Sequence, residues 1–225
     1  MNNLFGTMQI QVNEKIYLKD PNSSELGKKI VSEGLALIDE IGLESLTFRK
    51  LAKRLETTES SIYRYFESKF KLLLYLTSWY WGWLEYQLVF ATTNISNPKK
   101  RLNVAINVLA KDVTLDETFG EMNLVLLSRI VVSESSKAYL TKEVDDANKV
   151  GFYSGYKRVV KRVSDIMLES NSKFAFSHTL TTTIIEGIHH QKYFAQHLPS
   201  LTDITTKSDN LAMFYSQMAL SVLDK

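Results

Sequence analysis

The stretch TFRKLAKRLETTESSIYRYFESK, residues 47–69, decides how this chain folds. At helical period, Phe48, Leu51, Ala52 and Leu55 fall on one side of a short helix, and Arg49, Lys50, Lys53 and Arg54 on the rest. Thr47 is placed to cap that helix, because its hydroxyl can accept a bond from a free backbone N–H of the first turn. The apolar rhythm breaks at Glu56-Thr57 and resumes after Thr58, a second capping residue, with Ile62, Tyr63 and Phe66 as the inner face of a second short helix. Two short helices joined by a turn of about four residues have the outline of a helix-turn-helix, whose second helix lies in the DNA major groove.

A helical hairpin with solvated charges would use the same apolar spacing, so the exposed chemistry has to separate the two readings. Ser60 and Ser61 place small hydroxyls near the start of the second helix, where backbone can approach base edges. Arg49 is a further base-reading candidate, and Glu59 can accept from a cytosine amine. Tyr63, Arg64, Tyr65 and Lys69 offer donors suited to phosphate oxygens, and Thr47, Thr57 and Thr58 are hydroxyl candidates for the same role. Between Leu46 and Leu72 seven basic residues (Arg49, Lys50, Lys53, Arg54, Arg64, Lys69 and Lys71) face three acids (Glu56, Glu59 and Glu67). That leaves net +4 in this segment of a chain that is net +2 overall, so positive charge is concentrated where phosphate would lie.

The stretch resembles the tetracycline-repressor (TetR) family of bacterial transcription regulators. Leu46-Thr47-Phe48-Arg49-Lys50-Leu51-Ala52 and Ser61-Ile62-Tyr63-Arg64-Tyr65-Phe66-Glu67-Ser68-Lys69 carry the likeness, together with a first helix from Ser24 to Ile41 closed by Gly42. The resemblance covers residues 23–76; beyond them only length and helical character match. One departure stands in the turn, where the family usually has a glycine and this chain has Glu56. A non-glycine residue in a left-handed turn costs about 1 kcal/mol, so a tighter or differently shaped turn is expected.

Composition is consistent with a globular chain. At 225 residues, 44% apolar and 23% charged, it has room for one small and one medium domain. The absence of cysteine excludes disulfides, thiolate nucleophiles and cysteine-ligated zinc, and fits a reducing cytoplasm, the expected location. No basic region followed by an apolar core marks a signal peptide. Leu72 to Ala91 is very apolar, yet Thr77, Ser78, Glu85 and Gln87 interrupt it, so a buried helix is expected rather than a membrane span.

Residues 1–22 alternate polar and apolar in places, as in Gln9-Ile10-Gln11-Val12, which suggests an extended arm or small hairpin. Its charges balance, so packing against the body or disorder is expected rather than a DNA contact. Residues 23–68 then form the DNA-binding domain and residues 69–225 a helical effector-binding and dimerisation domain, giving an all-α fold. Helix 69–91, apolar on most faces, leads from one to the other without a linker. Stripes follow at Leu102–Val113 and Phe119–Ile130, and a long helical stretch runs to Glu169 with Gly151 and Gly155 on one face. A helix from Ser177 to His197 stops before Pro199, and a last helix starts at Ser208-Asp209.

In proteins of the resembled family the last two long helices pair with those of a twin subunit. Thr182, Ile185, His189, Leu211, Phe214 and Met218 are the candidate interface; a monomer core is the other reading. Two recognition helices about 34 Å apart would read an inverted repeat in double-stranded DNA. By the same resemblance, a small apolar or amphipathic effector would bind in the helical domain and tilt helix 69–91. Trp79, Trp83, Tyr86, Met122, Leu126, Phe152 and Tyr153 are the candidate lining, with ordinary core packing the even alternative.

Glu186-Gly187-Ile188-His189 has the Glu-x-x-His spacing of bundle di-iron sites, but no second copy exists, so neither metal nor cofactor is expected. The functional expectation is a homodimeric repressor, not an enzyme. The alternatives are a helical-bundle metal enzyme and a protein-interaction module without specific DNA readout.

Overall fold

A computed structural model describes residues 10–114, 122–205 and 210–224. Helix α1 spans Glu25–Ser45 and begins at Ser24, whose hydroxyl accepts the Gly27 N–H at 3.1 Å. Its regular part ends at Gly42, where φ 74° and ψ 157° lie in a region essentially reserved for glycine. Helices α2 (Phe48–Arg54) and α3 (Glu59–Tyr63) follow, capped by the Thr47 and Thr58 hydroxyls at 3.2 and 3.3 Å. Ile30, Leu35 and Ile38 of α1 are buried, as are Leu51, Ile62 and Phe66, giving these three helices the apolar core that the sequence spacing requires.

Helix α4 runs Lys69–Thr92, and Leu72 through Thr77 are buried without a break, as expected of a helix enclosed by protein. The remaining helices are α5 (Pro98–Ala110), α6 (Leu124–Glu134), α7 (Ser136–Tyr139), α8 (Val144–Lys149), α9 (Ser154–Ser170), α10 (Ser177–His197) and α11 (Asn210–Leu223). Among the described residues there is no strand, and no helix is long and apolar enough to cross a membrane. The fold is all-α.

The chain forms two compact units, and both draw on residues 69–225. The first holds the chain up to Gly82 together with Val113–Ser154; the second holds Trp83–Asp112 and Gly155–Lys225. The division falls inside α4. Within the first unit α6 packs on α1: Arg129 pairs with Asp39 at 2.7 Å, and Glu134 accepts the Leu43 N–H at 3.3 Å. Within the second, α5 packs against α10 and α11, and Lys192 of α10 caps α5 by donating to the Lys111 carbonyl at 2.9 Å.

Two expectations are corrected. The long helix leading to Glu169 is broken, because α8 ends in a reversal at Gly151 (φ 83°), with Phe152 N–H on Ala147 O and Gly151 N–H on Asn148 O. Gly151 and Gly155 therefore do not share a helix face. Among the described residues before α1 there is no hairpin: residues 10–24 contain two 3-10 turns, Glu14–Ile16 and Pro21–Ser23, capped by Asn13 and Asp20. Gln9, Phe119 and the start of the last helix at Ser208-Asp209 lie outside the described residues.

Candidate nucleic-acid interface

The turn between α2 and α3 is a Schellman reversal. Thr57 N–H bonds the Ala52 carbonyl at 2.9 Å and Glu56 N–H bonds the Lys53 carbonyl at 3.3 Å. Glu56 takes the left-handed position at φ 51°. The turn thus keeps the shape that suits glycine, and Glu56 carries the strain. Three hydroxyls follow it: Thr58 Oγ1 lies 2.8 Å from Ser60 Oγ and 2.9 Å from Ser61 Oγ. Tyr63 packs edge-on against Phe48, ring centroids 4.9 Å apart, and remains 48% exposed. A phenol fixed in this way loses little freedom on meeting a phosphate.

The basic residues sort into two groups. Arg54 is pinned by Glu33 at 2.5 Å and Glu40 at 2.6 Å, and those two bonds hold its guanidinium firmly in the charged form. Lys50 donates to Ser45 O at 2.8 Å. Lys69 donates to Leu43 O at 3.0 Å and Glu44 O at 2.9 Å, capping the carbonyl end of α1. Arg49, Lys53 and Arg64 are exposed, beside exposed Thr47, Thr58, Glu59 and Ser60; Thr57 and Ser61 are half-buried.

Tyr65 departs most from expectation. Its ring is buried, and its hydroxyl lies 2.7 Å from Ser24 Oγ and accepts from Lys19 at 3.2 Å. The Ser24 bond, helped by Lys19 against the effect of burial, lowers its pKa. It faces the protein because it follows Ile62 by three positions on the same inner side as Phe66. Ile62, Tyr65 and Phe66 together form that side.

Comparison with known proteins converges on this part of the chain. Residues 30–76 match the family described as bacterial regulatory proteins, tetR family. The helix-turn-helix is a tetR-family DNA-binding domain. A curated relative, the class G tetracycline repressor protein of Vibrio anguillarum, is 43% identical over 44 residues, which are 20% of this chain. The match spans about a fifth (21%) of the length of that relative.

Solved structures extend the likeness in fold. AibR in complex with isovaleryl coenzyme A and operator DNA aligns with TM-score 0.59 at 16% identity, over 85% of this chain and 96% of its own. The fatty acid degradation regulator FadR of Bacillus halodurans gives 0.56 at 16% identity, over 87% and 93%. The TetR family regulator PfmR of Thermus thermophilus gives 0.55 at 14% identity, over 87% and 97%. At these identities the fold alone is what they share with this chain.

Outside the tetR-family domain, the expected effector lining is divided. Trp79, Met122, Leu126, Phe152 and Tyr153 belong to the first compact unit, Trp83 and Tyr86 to the second. Phe152 lies under the Lys71 ammonium, 4.1 Å from its ring centroid, and Tyr153 donates to Ala138 O at 2.7 Å. Both are buried. A cleft of about 300 Å³ opens within the second unit, and none of the seven lines it. Its lining includes the aliphatic Leu88, Val89, Val163 and Ile166 and the charged Arg101, Arg162, Asp165 and Glu169.

The expected dimer residues also divide. Ile185, His189 and Leu211 are buried within the chain, while Phe214 is 52% exposed and Thr182 and Met218 are half-buried. Met213, Tyr193 and Val222, which are outside that candidate set, are exposed apolar residues of the same two helices. Burial drives the His189 pKa down to about 4, with the Lys192 and His190 charges adding to it. Glu186 accepts the Tyr156 hydroxyl at 2.9 Å, and no cluster of three metal-ligating side chains occurs among the described residues.

Proposed function

We propose that this chain is a homodimeric, DNA-binding transcription regulator, without enzymatic activity, that reads an inverted repeat and leaves it on binding a small effector. The observation that carries the reading is the capped α2–turn–α3 unit. Small hydroxyls and Glu59 stand at the start of α3, and Arg49, Tyr63 and Arg64 are exposed around it. Ser60, Ser61, Glu59 and Arg49 are assigned to base edges. Thr47, Thr57, Thr58, Tyr63 and Arg64 are assigned to phosphates, with Lys69 contributing only the N–H left over from its two helix caps.

The twin subunit is assigned to exposed apolar residues of α10 and α11, among them Tyr193, Met213 and Phe214. For the effector, the second-unit cleft, lined by both aliphatic and charged side chains, suits an amphipathic molecule better than a purely lipophilic one. Selection of bound fragments from random DNA tests the reading. A palindromic consensus is the expected result; indifference to every duplex at low salt overturns it. Phe214→Glu should yield a monomer by sedimentation with greatly weakened operator binding, and an unchanged dimer would remove this face from the proposal.

A further inference from the structure

The segment before α1 makes a set of contacts that a passive arm would lack. At one end Leu18 N–H donates to the Tyr65 carbonyl at 2.8 Å, one residue beyond the C-cap of the recognition helix α3. Lys19 donates to the Tyr65 hydroxyl and its ammonium lies 5.0 Å from the centre of the same ring. In the middle, Ile16 is 1% exposed and Tyr17 meets Tyr75 of α4 edge-on, centroids 6.1 Å apart. At the other end Asn13 donates to the Val150 carbonyl at 3.0 Å, where α8 reverses, while Lys71 of α4 donates to Lys15 O at 3.3 Å. All these residues belong to the first compact unit.

A five-residue helix cannot hold its own position, because its few internal bonds barely exceed the nucleation cost. Something outside must fix its exit. Inside the tetR-family domain, Ile62 and Phe66 do so through burial. The Tyr65 carbonyl is fixed instead by the Leu18 N–H.

We propose that residues 13–19 are a positioning strap, which ties the exit of the recognition helix to α4 and to the α8 reversal and so sets its placement for sequence-specific DNA binding. Tyr65 is the residue through which the strap acts. The inference rests on the DNA-binding reading for its purpose, although the strap itself is a feature of the protein alone. It also explains why a tyrosine in the most basic part of the chain is turned away from phosphate.

Leu18→Pro isolates the tie. Proline removes the donor that Leu18 supplies and fixes φ there near about −65°. Tyr17, at φ −126° and ψ 158°, already has the backbone that a residue before proline needs. The Leu18 side chain is 59% exposed and contributes little. Leu18→Ala keeps the N–H and is the conservative comparison.

Two measurements are made on the full chain, well below its melting temperature. The first is hydrogen exchange at residues 59–66, expected to quicken about fivefold in Leu18→Pro relative to Leu18→Ala, with residues 30–41 unchanged. The second is affinity for the selected palindrome against random duplex. Specific binding should weaken about fivefold to tenfold while random binding and the salt slope stay constant, because no phosphate contact is removed.

Exchange at 59–66 indistinguishable between the two variants overturns the strap, whether or not any duplex is bound. Quickened exchange with unchanged specific affinity overturns its role in DNA placement. Quickened exchange in a protein that prefers no duplex keeps the strap and overturns the DNA-binding reading.

Discussion

Glu56→Gly should stabilise the protein, and the size of the gain can be worked from the turn. Glu56 occupies the left-handed position of the Schellman reversal at φ 51°, which costs an L-residue about 1–2 kcal/mol. Its side chain is exposed and makes no ion pair or hydrogen bond among the described residues, so its loss costs nothing on that account. Glycine widens the unfolded ensemble, and that opposes the gain by about 0.4–1 kcal/mol. The balance is a gain of about 0.5–1 kcal/mol, or a melting temperature roughly 1–4 °C higher for a chain of this size.

The comparison that isolates the backbone is Glu56→Ala, which removes the same charge and keeps a Cβ in the left-handed position. Thermal and urea unfolding at matched protein concentration should place Glu56→Gly above Glu56→Ala by about 1 kcal/mol, and Glu56→Ala within about 0.5 kcal/mol of the parent. Glycine equal to or below alanine would refute the reasoning. Fragment selection on Glu56→Gly should return the parent consensus, since the turn's two hydrogen bonds already have the form that glycine adopts.

Three further outcomes are expected. A Cβ at Gly187 would fall on the Tyr215 hydroxyl, so Gly187→Ala should cost about 1–3 kcal/mol, and combining it with Tyr215→Phe should recover part of that loss in a double-mutant cycle. His189 has a folded pKa near 4, below its ordinary 6.5, so the unfolded chain binds the extra proton between those values. Stability should therefore fall as pH drops from about 6.5 towards 4, and His189→Gln should flatten that fall between pH 6.5 and 5 in urea melts. Arg64→Ala should reduce the salt slope of DNA binding by about one, whereas Lys69→Ala should move the slope by clearly less and lower the melting temperature. Equal slope changes in the two variants would make Lys69 as full a phosphate contact as Arg64.

The helix-turn-helix could be read from sequence because its determinants are local. Thr47 and Thr58 cap within three residues of themselves, and the apolar positions of α2 lie within one another's turns. Helix α10 was legible for the same reason, running from Ser177 to the histidine before Leu198-Pro199. What resisted was non-local. Arg54 reads only as one of the segment's seven cations until Glu33 and Glu40 are seen to hold it from 21 and 14 residues away. The Lys69 caps lie 25 and 26 residues back along the chain. The break at Gly151 is not legible in one dimension, because a glycine between Val150 and Phe152-Tyr153 reads equally well as a helix interior or a stop.

Sequence alone determined that the chain beyond its first 22 residues is helical, that residues 47–69 hold a capped pair of short helices, and that hydroxyls and cations crowd the second of them. Periodicity and capping act over one or two turns, so they survive without any knowledge of the packing. Tertiary structure alone decided which cations are committed to carbonyls and carboxylates, which tyrosine faces inward, and that residues 13–19 lie across the exit of the recognition helix. A side chain's role is settled by the partner it reaches, and those partners are brought within 3 Å only when distant stretches of chain pack together.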